Sequence, residues 1–130
     1  MEMSASSPSP PAASPERSVV ISKAVSRAAY LLGLSNAALA RTIGVSEATA
    51  SRLRGGNYVL EPGTKPYELA LLLVRLFRGL DAVVGGDEVS LRSWMVTANR
   101  ALRGVPRDLV QTAAGLVAAV DYVDAARARV

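Results

Sequence analysis

Residues 35–56 read SNAALARTIGVSEATASRLRGG. Two short apolar-periodic segments, 37–43 and 47–54, are each introduced by a serine, Ser35 and Ser46, that can accept a hydrogen bond from the first helical turn. Gly44 separates them, and Gly55-Gly56 closes the second. A helix-turn-helix needs a small residue where the helices cross, a glycine free to turn left-handed, and apolar residues on the second helix facing the first. Ala40, Gly44, Val45, Ala50 and Leu53 stand at those offsets. With Ala50 and Leu53 turned inward, Glu47, Ala48, Ser51 and Arg52 share the opposite face, which is the one that would enter a DNA groove. Arg52 is the foremost candidate for a guanine or phosphate contact. Ser46, Thr49 and Arg54 complete the candidate set through the phosphate backbone. The alternative on these residues alone is a helical hairpin that packs and binds nothing. Glu47 and the shortage of Lys and Arg imply weak binding by one copy and a need for a dimer spanning two half-sites.

Upstream, Ser22 is placed to cap a helix running to about Leu32, with Val25, Ala28, Ala29 and Leu32 at i, i+3, i+4, i+7, and Gly33 ends it. The first seventeen residues, MEMSASSPSPPAASPER, are Ser, Pro and Ala with little to bury, the composition of a disordered tail. They lack the basic-then-apolar order of a secretory signal.

Downstream, Asn57, Pro62 and Gly63 mark a loop, and Thr64 caps a long helix with Pro66 in its first turn. Leu69, Leu72, Leu73, Leu76, Phe77 and Leu80 form one apolar stripe, while Ala70, Leu71 and Val74 form a second flank. A helix apolar on two sides is buried between two parts of its chain or between two copies. Leu71 and Val74, with Arg75 and Arg78 beside them, are the candidate dimerisation residues. After Gly85-Gly86, Asp87 caps a helix carrying Val89, Leu91, Trp94 and Met95. Pro106 opens another, and Thr112 caps a last one with Leu116, Val117, Val120 and Val123 as its inward stripe. Trp94 reads as core, Asn99 as a left-handed helix cap, Arg100 as a solvated charge and Gly115 as a point of close packing.

The 130 residues suit one domain or two very small ones with a shared core. Half are apolar, mainly Ala, Leu and Val, and only 5% are aromatic, which favours an all-α fold. No Cys and no His occur, so thiol nucleophiles, Cys-ligated metals and the commonest general base are absent. No set of Asp, Glu, Lys, Ser or Tyr is spaced to take their place, and neither catalytic residues, metal nor cofactor are expected. Within the net charge of +4, residues 18–60 hold Lys23, Arg27, Arg41, Arg52 and Arg54 against Glu47 alone, whereas 61–130 are nearly balanced. The basic surplus coincides with the helix-turn-helix. Apolar runs such as Leu69 to Val74 fall short of the roughly 18–20 residues of a membrane span, so a cytoplasmic chain without membrane contact is expected.

Over about residues 19–128 the chain resembles the Xre/MbcA/ParS antitoxins. IGVSEATASRLRGG resembles their Xre-like half. VVGGDEVSLRSWMVTANRALRGVPRDLVQTAAGLVAAVDYVDAAR resembles their toxin-binding half, through Gly85-Gly86-Asp87, Trp94, Asn99-Arg100-Ala101-Leu102, Gly104, Pro106, Gly115-Leu116, Val120, Tyr122 and Asp124. The resemblance implies an Xre-like helix-turn-helix joined by a long central helix to a small C-terminal toxin-binding domain. It also implies a RES-domain toxin as partner, whose NAD-consuming cleft the antitoxin obstructs, promoter DNA as a second partner, and a homodimer. The expected organisation is a tail over 1–17, the helix-turn-helix domain over 18–63, a connecting and dimerisation helix over 64–86 and the toxin-binding domain over 87–130. On this basis Asp121, Tyr122, Asp124, Arg127, Arg129 and Val130, at the reachable end of the last helix, are the candidate toxin contacts, with Tyr122 as anchor and Arg127 or Arg129 pairing with acidic toxin groups. The alternatives are a stand-alone repressor whose C-terminal part dimerises or senses a ligand, and a helical scaffold that no longer binds DNA.

Overall fold

A computed structural model describes residues 15–129, and the stretch 1–14 and Val130 lie outside the described residues. The described residues form seven helices, α1 (Pro15–Leu32), α2 (Asn36–Ile43), α3 (Glu47–Arg54), α4 (Lys65–Val83), α5 (Glu88–Val96), α6 (Pro106–Leu109) and α7 (Ala113–Ala128). No strand occurs among the described residues; a lone bridge pairs Asn99 with Gly104.

Local chemistry sets most of the boundaries. Ser35, Ser46, Thr64, Asp87 and Thr112 all sit at N-caps with their side chains accepting a first-turn N–H, as the sequence predicts. Gly33, Gly44 and Gly85-Gly86 take positive φ at helix ends. Two boundaries differ from expectation. The first helix begins at Pro15, so residues 15–17, predicted as tail, are helical. Proline at the first helical position and Glu16 in the first turn both favour that start. Ser22 is therefore not a cap: it is buried inside α1, its Oγ donating to Ser18 O at 2.7 Å and accepting from Leu60 N at 2.9 Å. Asn99 is not a left-handed cap either. Its backbone pairs with Gly104 in both directions, its Oδ1 accepts from Leu102 N at 3.0 Å, and the residue with positive φ is Arg103, at 63°.

The core is one continuous cluster drawn from both halves of the chain, including Leu39, Ile43, Leu53, Leu73, Leu76, Leu80, Leu91, Met95, Leu116 and Val120. At its centre α4 packs against α7 and α1, then α2. Much of both apolar flanks of α4 is thereby covered within the chain: Ala70 and Val74 are buried along with Leu73 and Leu76, while Leu71 and Leu72 are only partly so. The α4–α7 crossing is close because position 79 is glycine; a Cβ there would stand 2.8 Å from Val123 Cγ1. Gly115 allows the tight α6–α7 turn, where a Cβ would meet Leu109 O.

Three polar links tie α5–α7 to the rest. Arg92 of α5 donates to the carbonyls of Tyr30 and Leu31 at the end of α1. A cation there complements the negative helix terminus, and α1 has no basic residue of its own in its last turn. Arg41 Nε donates to Gln111 Oε1 at 2.6 Å, and Arg75 pairs with Asp124 at 2.8 Å.

Candidate nucleic-acid interface and partner-binding surface

The helix-turn-helix geometry follows from small and apolar residues at the α2–α3 contact. Ala40, Ala50 and Leu53 are buried, and Gly44 turns the chain at φ 78°. That inward set turns Glu47, Ala48, Ser51 and Arg52 outward, all exposed, together with Ser46. Thr49 is half-buried. At the start of α3, Ser46 Oγ accepts from Thr49 N at 3.1 Å and donates to Thr49 Oγ1 at 2.9 Å, while Glu47 lies in the first turn, where a negative charge favours the helix. The position of Glu47 on the outward face thus has a structural reason. Arg52 reaches back to Thr49 Oγ1 at 3.2 Å and sits 5.8 Å from the Tyr58 ring, an exposed cation held only by weak local contacts.

Arg54 departs from the rest of the predicted DNA-binding set. Half-buried, it points back into the protein, Nη1 donating to Asn36 Oδ1 at 2.9 Å and Nη2 to Leu34 O. Burial lowers its pKa from the ordinary arginine value. The fork spans from the end of α3 to the α1–α2 turn, so its work is to fix the angle of α3.

The predicted dimerisation residues divide in the same way. Val74 is buried in its own chain, and Arg75 is engaged with Asp124, whose hydrogen bond raises the guanidinium pKa. Leu71 and Arg78 stay accessible on an open groove of about 740 Å³ that Ile21 and Leu72 also line.

In the C-terminal half, Val120 and Val123 are buried, as expected for the inward face of α7, whereas Val117 is exposed. Of the predicted toxin contacts, Asp121, Arg127 and Arg129 are exposed, Tyr122 and Asp124 already have partners in the chain, and Val130 lies outside the described residues. Tyr122 stacks on Trp94, ring centroids 6.3 Å apart and planes at 25°. Trp94, read as core, packs against the core cluster and is partly buried there. Its accessible part lines a second groove, of about 420 Å³, along α5. Near its rim Ser90 Oγ donates to Asp87 Oδ2 at 2.6 Å, which with the Val89 N–H lowers the Asp87 pKa. Arg92 and Gln111 went unmarked in the sequence; the one hint was the missing basic residue at the end of α1.

Comparison with known proteins accounts for this division of surfaces. Residues 11–75 match a family model described as the antitoxin Xre-like helix-turn-helix domain. Residues 79–129 match the antitoxin Xre/MbcA/ParS C-terminal toxin-binding domain. The chain belongs to the Xre/MbcA/ParS antitoxin family. No match was found among curated proteins. The two matched segments of the antitoxin meet inside α4, which contributes to both. No helix of the described residues is long and apolar enough to cross a membrane.

Proposed function

We propose that this antitoxin neutralises a RES-domain toxin by covering the cleft in which that toxin consumes NAD, and that it represses its own promoter in the cytoplasm as a homodimer. The reading rests chiefly on the tandem order of a helix-turn-helix segment and a toxin-binding segment in one chain. The exposed outer face of α3, set over a buried Ala50 and Leu53, supports the DNA-binding part. Each copy offers Arg52 as the single basic side chain on that face, which is little attraction for phosphate and favours two copies on paired half-sites. Leu71 and Arg78, on the groove bordered by Ile21 and Leu72, are the accessible part of the proposed dimer surface. Asp121, Arg127 and Arg129 are the charged contacts proposed toward the toxin.

The test is direct. The antitoxin is mixed with the product of the adjacent gene, expected to be a RES-domain protein, and NAD loss is followed together with the size of the complex. Stoichiometric antitoxin stops NAD loss and elutes with the toxin. Unchanged NAD loss with separate elution overturns the proposal.

A further inference from the structure

The groove along α5 lies wholly within residues 79–129, the segment matched as toxin-binding. Its apolar walls are Val84, Val89, Trp94 and Ala98, and its lining carries no charge. The cores of protein interfaces are depleted of charge and enriched in aromatic residues, and Trp is foremost among residues whose loss weakens binding most.

α5 has one face committed to the protein's core, through Leu91 and Met95. A helix needing only that contact would be polar elsewhere. Instead the outer side of the helix carries two exposed valines, Val89 at 77% and Val96 at 53%, and Val89 stands in the groove with Trp94. The polar groups of the groove suit burial by a partner. Ser90 Oγ donates to Asp87, Thr97 Oγ1 donates to Ser93 O at 2.6 Å, and the Asn99 backbone and Oδ1 are bonded across the 99–104 turn. Covering them leaves the Ser93 hydroxyl of the lining for a partner to satisfy, and an unmet donor or acceptor is the main penalty for burying polar atoms. Trp94 is held by its stack on Tyr122, so little side-chain freedom is lost on docking.

Resting on the proposal that this chain neutralises a toxin, we infer that the α5 groove centred on Trp94 is the seat of an uncharged apolar segment of that toxin. Tyr122 acts from behind as the brace of Trp94, and the charged end of α7 makes secondary contacts.

The experiment uses the full chain with its RES-domain toxin, measuring toxin affinity, promoter-DNA affinity and thermal stability. Val89→Glu places a charge in the groove from a side chain that the fold leaves exposed; Trp94→Ala removes the anchor. Both should weaken toxin binding by about 30-fold or more. Val89→Glu should leave the melting temperature and DNA affinity as they were, so the result stands even if Trp94→Ala folds poorly. Arg127→Ala with Arg129→Ala should cost only a few-fold. Toxin affinity within about twofold of wild type for Val89→Glu overturns the inference. So does a Val89→Glu chain that loses a homodimer while keeping its toxin, since the groove would then join two antitoxins. A wild-type chain that binds no RES-domain toxin is distinct from both and overturns the proposed function along with this inference.

Discussion

Ser22 is a polar side chain that the fold depends on from inside a helix. Its hydroxyl is the acceptor for the buried Leu60 N–H, and so it fixes the loop between α3 and α4 against α1. Ser22→Ala should cost about 1–3 kcal/mol, the usual penalty for leaving a buried donor unmatched, and a denaturant titration reads it directly. The helix caps could be read from sequence because a cap and its N–H lie within three residues of each other. Ser22 could not, because its partner stands 38 positions away and a serine ahead of an apolar periodic segment looks like a cap. Arg54, read with Arg52 as a DNA contact, likewise has its bonding partners 18 and 20 positions away, out of reach of sequence spacing. The structure separates the two, and the salt dependence of operator binding can test the separation. Arg52→Ala should weaken binding and reduce the slope of log K against log salt by about one, the signature of a lost phosphate contact. Arg54→Ala should weaken binding with the slope unchanged, because it releases α3 from the α1–α2 turn without removing a charge from the interface. A wild-type slope for Arg52→Ala would put Arg52 off the DNA, and a reduced slope for Arg54→Ala would put Arg54 on it.

Among the elements, α4 shows how far periodicity carries. Its two apolar flanks were plain in the sequence, but periodicity does not say whether a flank meets its own chain or another copy. α7 and α1 cover much of it, and Val74 is buried without a second copy, while Leu71 and Leu72 stay on an open groove. α5 also keeps exposed apolar side chains, Val89 and Val96, and its sequence pattern did not say which of its apolar residues face outward. The α4–α7 crossing was not legible at all, since Gly79 lies mid-helix, takes no unusual φ and so carries no local sign of its task. Gly79→Ala should be destabilising despite the better helix propensity of alanine. Propensity returns at most about 1 kcal/mol, whereas forcing a methyl against the stiff β-branched Val123 costs about 1–3. Val123→Ala opens a cavity that the added methyl would partly fill. The double variant should therefore be more stable than the sum of the two single changes predicts, by about 1 kcal/mol. Strict additivity in denaturant titrations would mean that the helices are not in contact at this point.

At the scale of the whole molecule, the expectation of a DNA-binding domain, a connecting helix and a toxin-binding domain meets a fold with one core. α4 contributes to both matched segments, Arg92 caps α1 from α5, and Arg41 of α2 bonds Gln111 beyond α6. Removing residues 121–130 to test toxin binding would also remove Val123 from the core and Tyr122 from Trp94, which is why point changes on exposed positions are the cleaner test. A shared core predicts that the halves unfold together, and the sequence supplies the means to check it. Trp94, the chain's single tryptophan, reports on the C-terminal half, while far-ultraviolet circular dichroism reports on all the helices. In a denaturant titration the two signals should trace one transition with the same midpoint. Arg92→Ala, which severs a link between the halves at a cost of about 1 kcal/mol, should move both signals to lower denaturant by the same amount. If the fluorescence midpoint moves and part of the dichroism stays behind, the halves are independent domains, and a change at α5 would have no route through the packing to α3.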